Sequence, residues 1–132
     1  MDLETAHSKH WSICQVGLVW FENGLIIDEL SILVQPPNNF YRDWFIDIRG
    51  LAPEISCHEP IFDEMWHLVE TFTTNQSEVS HNGLSFDFPV LAQILQYYGL
   101  EVPEYEKHCT YRLFRNNVSS LCQEYSIDLT HY

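Results

Sequence analysis

The sequence predicts an α/β domain: a sheet with a hairpin at one side and helices packed against it. Three observations lead there. An apolar run, Ile13–Trp20, is joined through Asn23-Gly24 to a second, alternating run. Beyond Pro60, stretches of helical spacing alternate with short strand-like segments. Finally, 132 residues, 45% of them hydrophobic and 14% aromatic, suffice for one core and are too few for two.

Taken in order, Ile13 to Trp20 is apolar on both pleat faces, as a central strand should be. Asn23-Gly24 is a two-residue hairpin signal. In Leu25 to Val34 the residues Ile26, Leu30, Ile32 and Val34 recur with strand period and are placed on one face, and Pro36-Pro37 ends the strand. Residues 37–59, rich in Asn, Asp and aromatics, read as an irregular connection. Pro60 suits the first turn of a helix whose stripe is Phe62, Met65, Trp66 and Val69. Glu78 to Ser80 reads as a short strand. Pro89 opens a helix with Leu91, Ile94, Leu95 and Tyr98 on one stripe and Gly99 as its stop. Lys107 to Thr110 reads as another short strand, and Asn117 as the cap of a helix carrying Val118, Leu121, Cys122 and Tyr125.

Charge excludes some functions. Six Lys and Arg stand against 19 Asp and Glu, a formal net charge of -13. That argues against a basic-patch nucleic-acid binder and against docking on an anionic membrane. It leaves open an enzyme that reaches phosphate through bound metal ions. The longest apolar stretch, Gly24 to Val34, is broken by Asp28 and Glu29, short of the ~20 residues that span a bilayer. The N-terminus has neither a basic region nor an apolar one, so no secretory signal is expected. Cys14, Cys57, Cys109 and Cys122 form no C-x-x-C pair, which fits a reduced, cytoplasmic chain.

Three places offer chemistry. On a strand, Asp2 and Glu4 point to one face, roughly 6–7 Å apart, and repel unless a cation lies between them. Oxygen-only ligands favour Mg²⁺ or Mn²⁺; the alternative is two solvated acids at a frayed end. His81-Asn82-Gly83-Leu84-Ser85-Phe86-Asp87 supplies an acid at a strand-to-helix junction, where sheet-end ligands gather. There the alternative is Asp87 as helix cap and His81 as a partly buried loop residue. His131 is a histidine near the C-terminus, a position usually at the surface. His7 and His10 have zinc-like spacing but no supporting Cys or acid, and read as a solvated loop. Phe40, Tyr41, Trp44 and Phe45 either stack a base or plug a loop into the core.

Together the segments resemble the DnaQ-like, or DEDD, three-prime to five-prime exonucleases, in their DEDDh subgroup. MDLETA is similar to the first motif, D-x-E-T, and SICQVGLV to the strand that follows it. IRGL, Ile48 to Leu51, resembles the I-H-G-[IL] loop, with Arg49 in the histidine's place. HNGLSFDFPVL resembles the second motif in its longer, repair-exonuclease spacing. CTYRLFR resembles the D-T-L-x-L-x-R segment, with Cys109 in the place of Asp. VSSLCQEYSIDLTHY resembles the helix and turn before the third motif, H-x-A-x-x-D.

The resemblance implies a ribonuclease H-like mixed sheet with flanking helices, as a single domain over residues 1–132. It implies a first strand shortened to a stub, and a final helix and fourth acid lying outside the 132 residues. It implies two-metal hydrolysis of phosphodiesters with Mg²⁺ or Mn²⁺, releasing nucleotides from single-stranded three-prime ends of DNA or RNA. Carried over, Asp2, Glu4 and Asp87 are metal ligands and catalytic acids, and His131 or its neighbour is the histidine that takes the proton from water. Thr5, Ala6, Leu51, Asn82 and Phe86 lie where such enzymes contact the terminal nucleotide. A polymerase, or another replication or repair protein, is the implied protein partner. The alternative is a catalytically incomplete fragment, or a binding module that keeps the fold without the activity.

Overall fold

The computed structural model describes residues 1–128. Its strands are β1 (Asp2–Thr5), β2 (Ile13–Glu22), β3 (Leu25–Leu33), β4 (Ser77–Ser80) and β5 (Glu106–Cys109). Its α-helices are α1 (Asp43–Arg49), α2 (Pro53–Ser56), α3 (Phe62–Thr73), α4 (Asp87–Tyr97), α5 (Thr110–Phe114) and α6 (Val118–Glu124). β2 runs antiparallel to both β1 and β3, and β4 is parallel to β5. The nitrogen of Met1 donates to the carbonyl of Val79 at 2.8 Å, so the outer edge of β1 meets β4.

The core lies between the three-stranded sheet and helices α3 and α4. Leu3, Ile13, Val16, Leu18 and Val34 face Phe62, Trp66 and Val69 from α3 and Val90, Leu91, Ile94 and Leu95 from α4. Each helix places its apolar residues three and four apart, and burying one such side chain is worth about 1.5–3 kcal/mol. No helix among the described residues is long and apolar enough to cross a membrane.

β2 is central as expected, but only its first half is covered. Ile13, Cys14, Val16 and Leu18 are buried, whereas Val19 and Phe21 are exposed. The hairpin turns at Asn23 and Gly24, with φ of 50° and 83°, the left-handed pair such a turn requires. The expectation that Ile26 shares a face with Leu30 fails. Trp20 pairs with Asp28 and Phe21 with Ile26, so Ile27 is an extra residue and the alternation inverts there.

Residues 37–59 are not irregular. They hold a 3₁₀ turn (Pro37–Asn39), α1 and α2. α1 has Asp43 in its first turn, Arg49 in its last, and Gly50 at φ 67° returning its N–H to the Ile46 carbonyl. No residue of α1 is fully buried, so it shows no apolar stripe to betray it.

Two helix starts also move. α3 begins at Phe62, because the Pro60 carbonyl accepts from Gln35 N and Ile61 N is held by the Glu64 carboxylate. α4 begins at Asp87, which leaves Pro89 in the first turn, where a missing N–H costs nothing. Asn117 does cap α6, accepting from Ser120 N at 2.8 Å. His7, expected in a solvated loop, is buried against Trp11 and Phe40, and burial pushes its pKa down.

Candidate active site

β1 supplies two of the three motif acids. Its register sets Asp2 opposite Gly17 and Glu4 opposite Gln15, so both project from the inner half of the sheet. The third, Asp87, opens α4 but does not cap it. One carboxylate oxygen accepts from Leu3 N at 2.9 Å and the other from the Ser80 hydroxyl at 2.5 Å. The side chain therefore ties β1 to β4 across the seam between the two strand groups. It is 2% exposed. Burial raises its pKa, the bonds from Ser80 and Leu3 lower it, and the charge of Asp2 raises it further; the net shift is upward.

The turn before α4 is shaped for this contact. Asn82 sits at φ 62°, a conformation asparagine tolerates. A Cβ on Gly83 would fall 2.5 Å from the Ser80 Cβ and 2.9 Å from its hydroxyl. Any other residue would displace the hydroxyl that holds Asp87.

Glu4 has a different partner. Its carboxylate forms an ion pair with the guanidinium of Arg49, at the last turn of α1. Arg49 also lies over the Phe45 ring, 5.5 Å from its centroid. Burial pushes the Arg49 pKa down, and the charge of Asp2 opposes that. Asp2, Glu4, Gln15, Gly17, Ile48 and Arg49 line a cleft of about 930 Å³. The sequence marks Arg49 only as a replaced histidine; its pairing with Glu4 depends on a helix that hydrophobic periodicity does not reveal.

Among the described residues, no three His, Cys, Asp or Glu side chains stand together as a ready metal site. The donors nonetheless suit a hard divalent cation. All three are carboxylates, Asp87 feels the charge of Asp2, and a positive group already occupies Glu4.

The candidate substrate residues divide by exposure. Thr5 and Ala6 are buried, and the Ala6 N–H and carbonyl bond to Ser12 and Arg42. Leu51 packs beside Ile46 on the small cluster of Ala6, Cys14 and Tyr41. Phe86 is half-buried, its ring 5.8 Å from that of His10, and Asn82 is exposed. Of the aromatic run, Tyr41 enters the core while Phe40 and Trp44 face solvent. His131 lies outside the described residues.

One further feature sits next to the second motif. Burial alone would raise the Cys109 thiol, but backbone N–H groups of Arg112, Leu84, Tyr111 and Asn82 together pull its pKa below the ordinary value.

A family model described as Exonuclease, RNase T, matches residues 1–131. No protein of curated function matches in sequence. Among solved structures, the chain is similar to Exonuclease X in complex with 5' overhanging duplex DNA, at 20% identity and a TM-score of 0.71. That match covers 98% of this chain and 73% of the other. The architecture is the ribonuclease H-like α/β fold that the motifs imply.

Proposed function

As the chain belongs to the RNase T exonuclease family, we propose that residues 1–132 act as one domain that removes nucleotides stepwise from single-stranded three-prime ends. Above all, the environment of Asp87 supports this. A buried carboxylate whose neighbour is another carboxylate is poised for a cation, and its burial stays unfavourable until one arrives.

Asp2, Glu4 and Asp87 are the residues that would hold Mg²⁺ or Mn²⁺, two ions in the full mechanism. Bound there, the metal supplies water activation and charge stabilisation at the leaving oxygen. Ser80 and the Leu3 amide fix the plane of the Asp87 carboxylate, so its free lone pairs keep one direction. Phe86 and Leu51 offer apolar contact to a terminal base or sugar, and Asn82 a polar one. His131 takes the proton from the attacking water. The four cysteines are unpaired, in keeping with a cytoplasmic setting.

A second reading, a binding module that keeps the fold without turnover, draws on the pairing of Glu4 with Arg49. One assay separates the two. With Mn²⁺ and a three-prime-labelled single-stranded oligonucleotide, DNA and RNA in turn, labelled mononucleotide should appear. It should vanish with EDTA and in Asp87→Asn and Glu4→Gln. Binding that ignores metal, with no cleavage, would establish the module instead.

A further inference from the structure

Among the described residues, the cleft beside β1 is lined by four acids, Asp2, Glu4, Glu29 and Asp128, and by one basic residue, Arg49. That guanidinium is paired with Glu4, and its side chain is 20% exposed. Three things keep it there: the end of α1 with its Gly50 cap, the Phe45 ring beneath it, and the charge of Asp2. A cation held at Glu4 and a guanidinium held at Glu4 would occupy the same oxygens with like charge.

We propose that Arg49 is a resident counter-ion that must leave Glu4 before a divalent ion binds, and that a nucleic-acid phosphate draws it away. The proposal rests on the metal-dependent reading given above. Its physical basis is exchange of partners. Guanidinium binds phosphate and carboxylate with the same two-pronged geometry, so an incoming phosphodiester competes with Glu4 for Arg49. Each Arg49 that changes partner uncovers a carboxylate for metal. Metal and nucleic acid then strengthen each other's binding, as linkage requires. The resting enzyme binds metal weakly, and loads it where substrate is present.

The test is Mn²⁺ titration by calorimetry on the full chain as wild type, Arg49→Gln and Arg49→Lys. Each is measured with and without a single-stranded oligonucleotide made uncleavable by three-prime phosphorothioates. Arg49→Gln should bind Mn²⁺ about tenfold tighter than wild type without nucleic acid, and Arg49→Lys should fall between them. The oligonucleotide should tighten Mn²⁺ binding more in wild type than in Arg49→Gln. Equal or weaker Mn²⁺ binding by Arg49→Gln, or the same gain from the oligonucleotide in both, overturns the proposal. If Mn²⁺ also binds and is lost in Glu4→Gln, the metal-dependent reading survives that failure. Absence of Mn²⁺ binding in every variant overturns both. Circular dichroism of each variant shows that it is folded, and Arg49→Lys keeps the comparison decisive if Arg49→Gln is not.

Discussion

Asp87 holds β1 against β4 and serves as a candidate ligand, and the two roles oppose each other electrostatically. Its folded-state pKa lies above the ordinary carboxylate value, chiefly through burial. The folded chain therefore holds that proton more tightly than the unfolded one. Metal-free stability should fall as pH rises from the unfolded-state pKa to the folded one, and then level off. Asp87→Asn removes this dependence. The amide it introduces can accept from Leu3 and donate to the Ser80 hydroxyl, so both partners are kept. Thermal unfolding in EDTA across pH 4–8, about the range where such groups titrate, should show the Asp87→Asn variant with a flatter acid-side slope. The substitution should raise the neutral-pH midpoint by a few degrees while Mn²⁺ affinity is lost. At this scale the motif residues are legible through the family resemblance, which marks Asp2, Glu4 and Asp87 as a set where spacing alone leaves each a solvated or capping role. What they touch is not. Whether an acid at a helix start caps that helix or reaches across to another strand is decided by tertiary packing. Here Leu3 and Ser80 decide it.

At the scale of the element, the β2–β3 hairpin is the most readable feature, because Asn23-Gly24 states its own turn geometry. Gly24→Val should cost about 1–2 kcal/mol, as a left-handed backbone carrying a Cβ does, measured by urea unfolding. Mn²⁺ affinity should be unchanged, since Asp2 and Glu4 stand opposite Gly17 and Gln15 in the strand register, on the covered half of β2 and away from the turn. The bulge at Ile27 is hidden because an extra residue leaves no mark on composition and only shifts the phase. α1 is hidden for a different reason. Asp43, Arg49 and Gly50 are good end signals, but Trp44 and Ile48 face solvent, so the usual apolar stripe is missing. Arg49 is the residue most affected, and its role at Glu4 becomes visible only with the helix that carries it.

For the whole molecule, a net charge of -13 shapes the encounter with nucleic acid. A protein that neutralises phosphates directly with 6–10 basic groups loses roughly 10³–10⁵ in affinity between about 50 and 200 mM salt. This chain has six Lys and Arg in all. At fixed Mn²⁺, fluorescence anisotropy with a labelled oligonucleotide should show less than about a tenfold loss over that range. A steep slope would mean that clustered basic side chains carry the binding. The fold class is legible at this scale because hairpin, helices and strands follow one another as an α/β chain requires. The seam between β1 and β4 is not, since it depends on one bond from Met1 and one from Leu3. That seam has a dynamic meaning. The Leu3 N–H, on a residue buried in the core, donates across the seam to the Asp87 carboxylate. Its exchange with deuterium is governed by opening of the seam at that carboxylate. An ion that immobilises Asp87 slows this one amide, so a single proton on the backbone keeps time for the occupancy of the site.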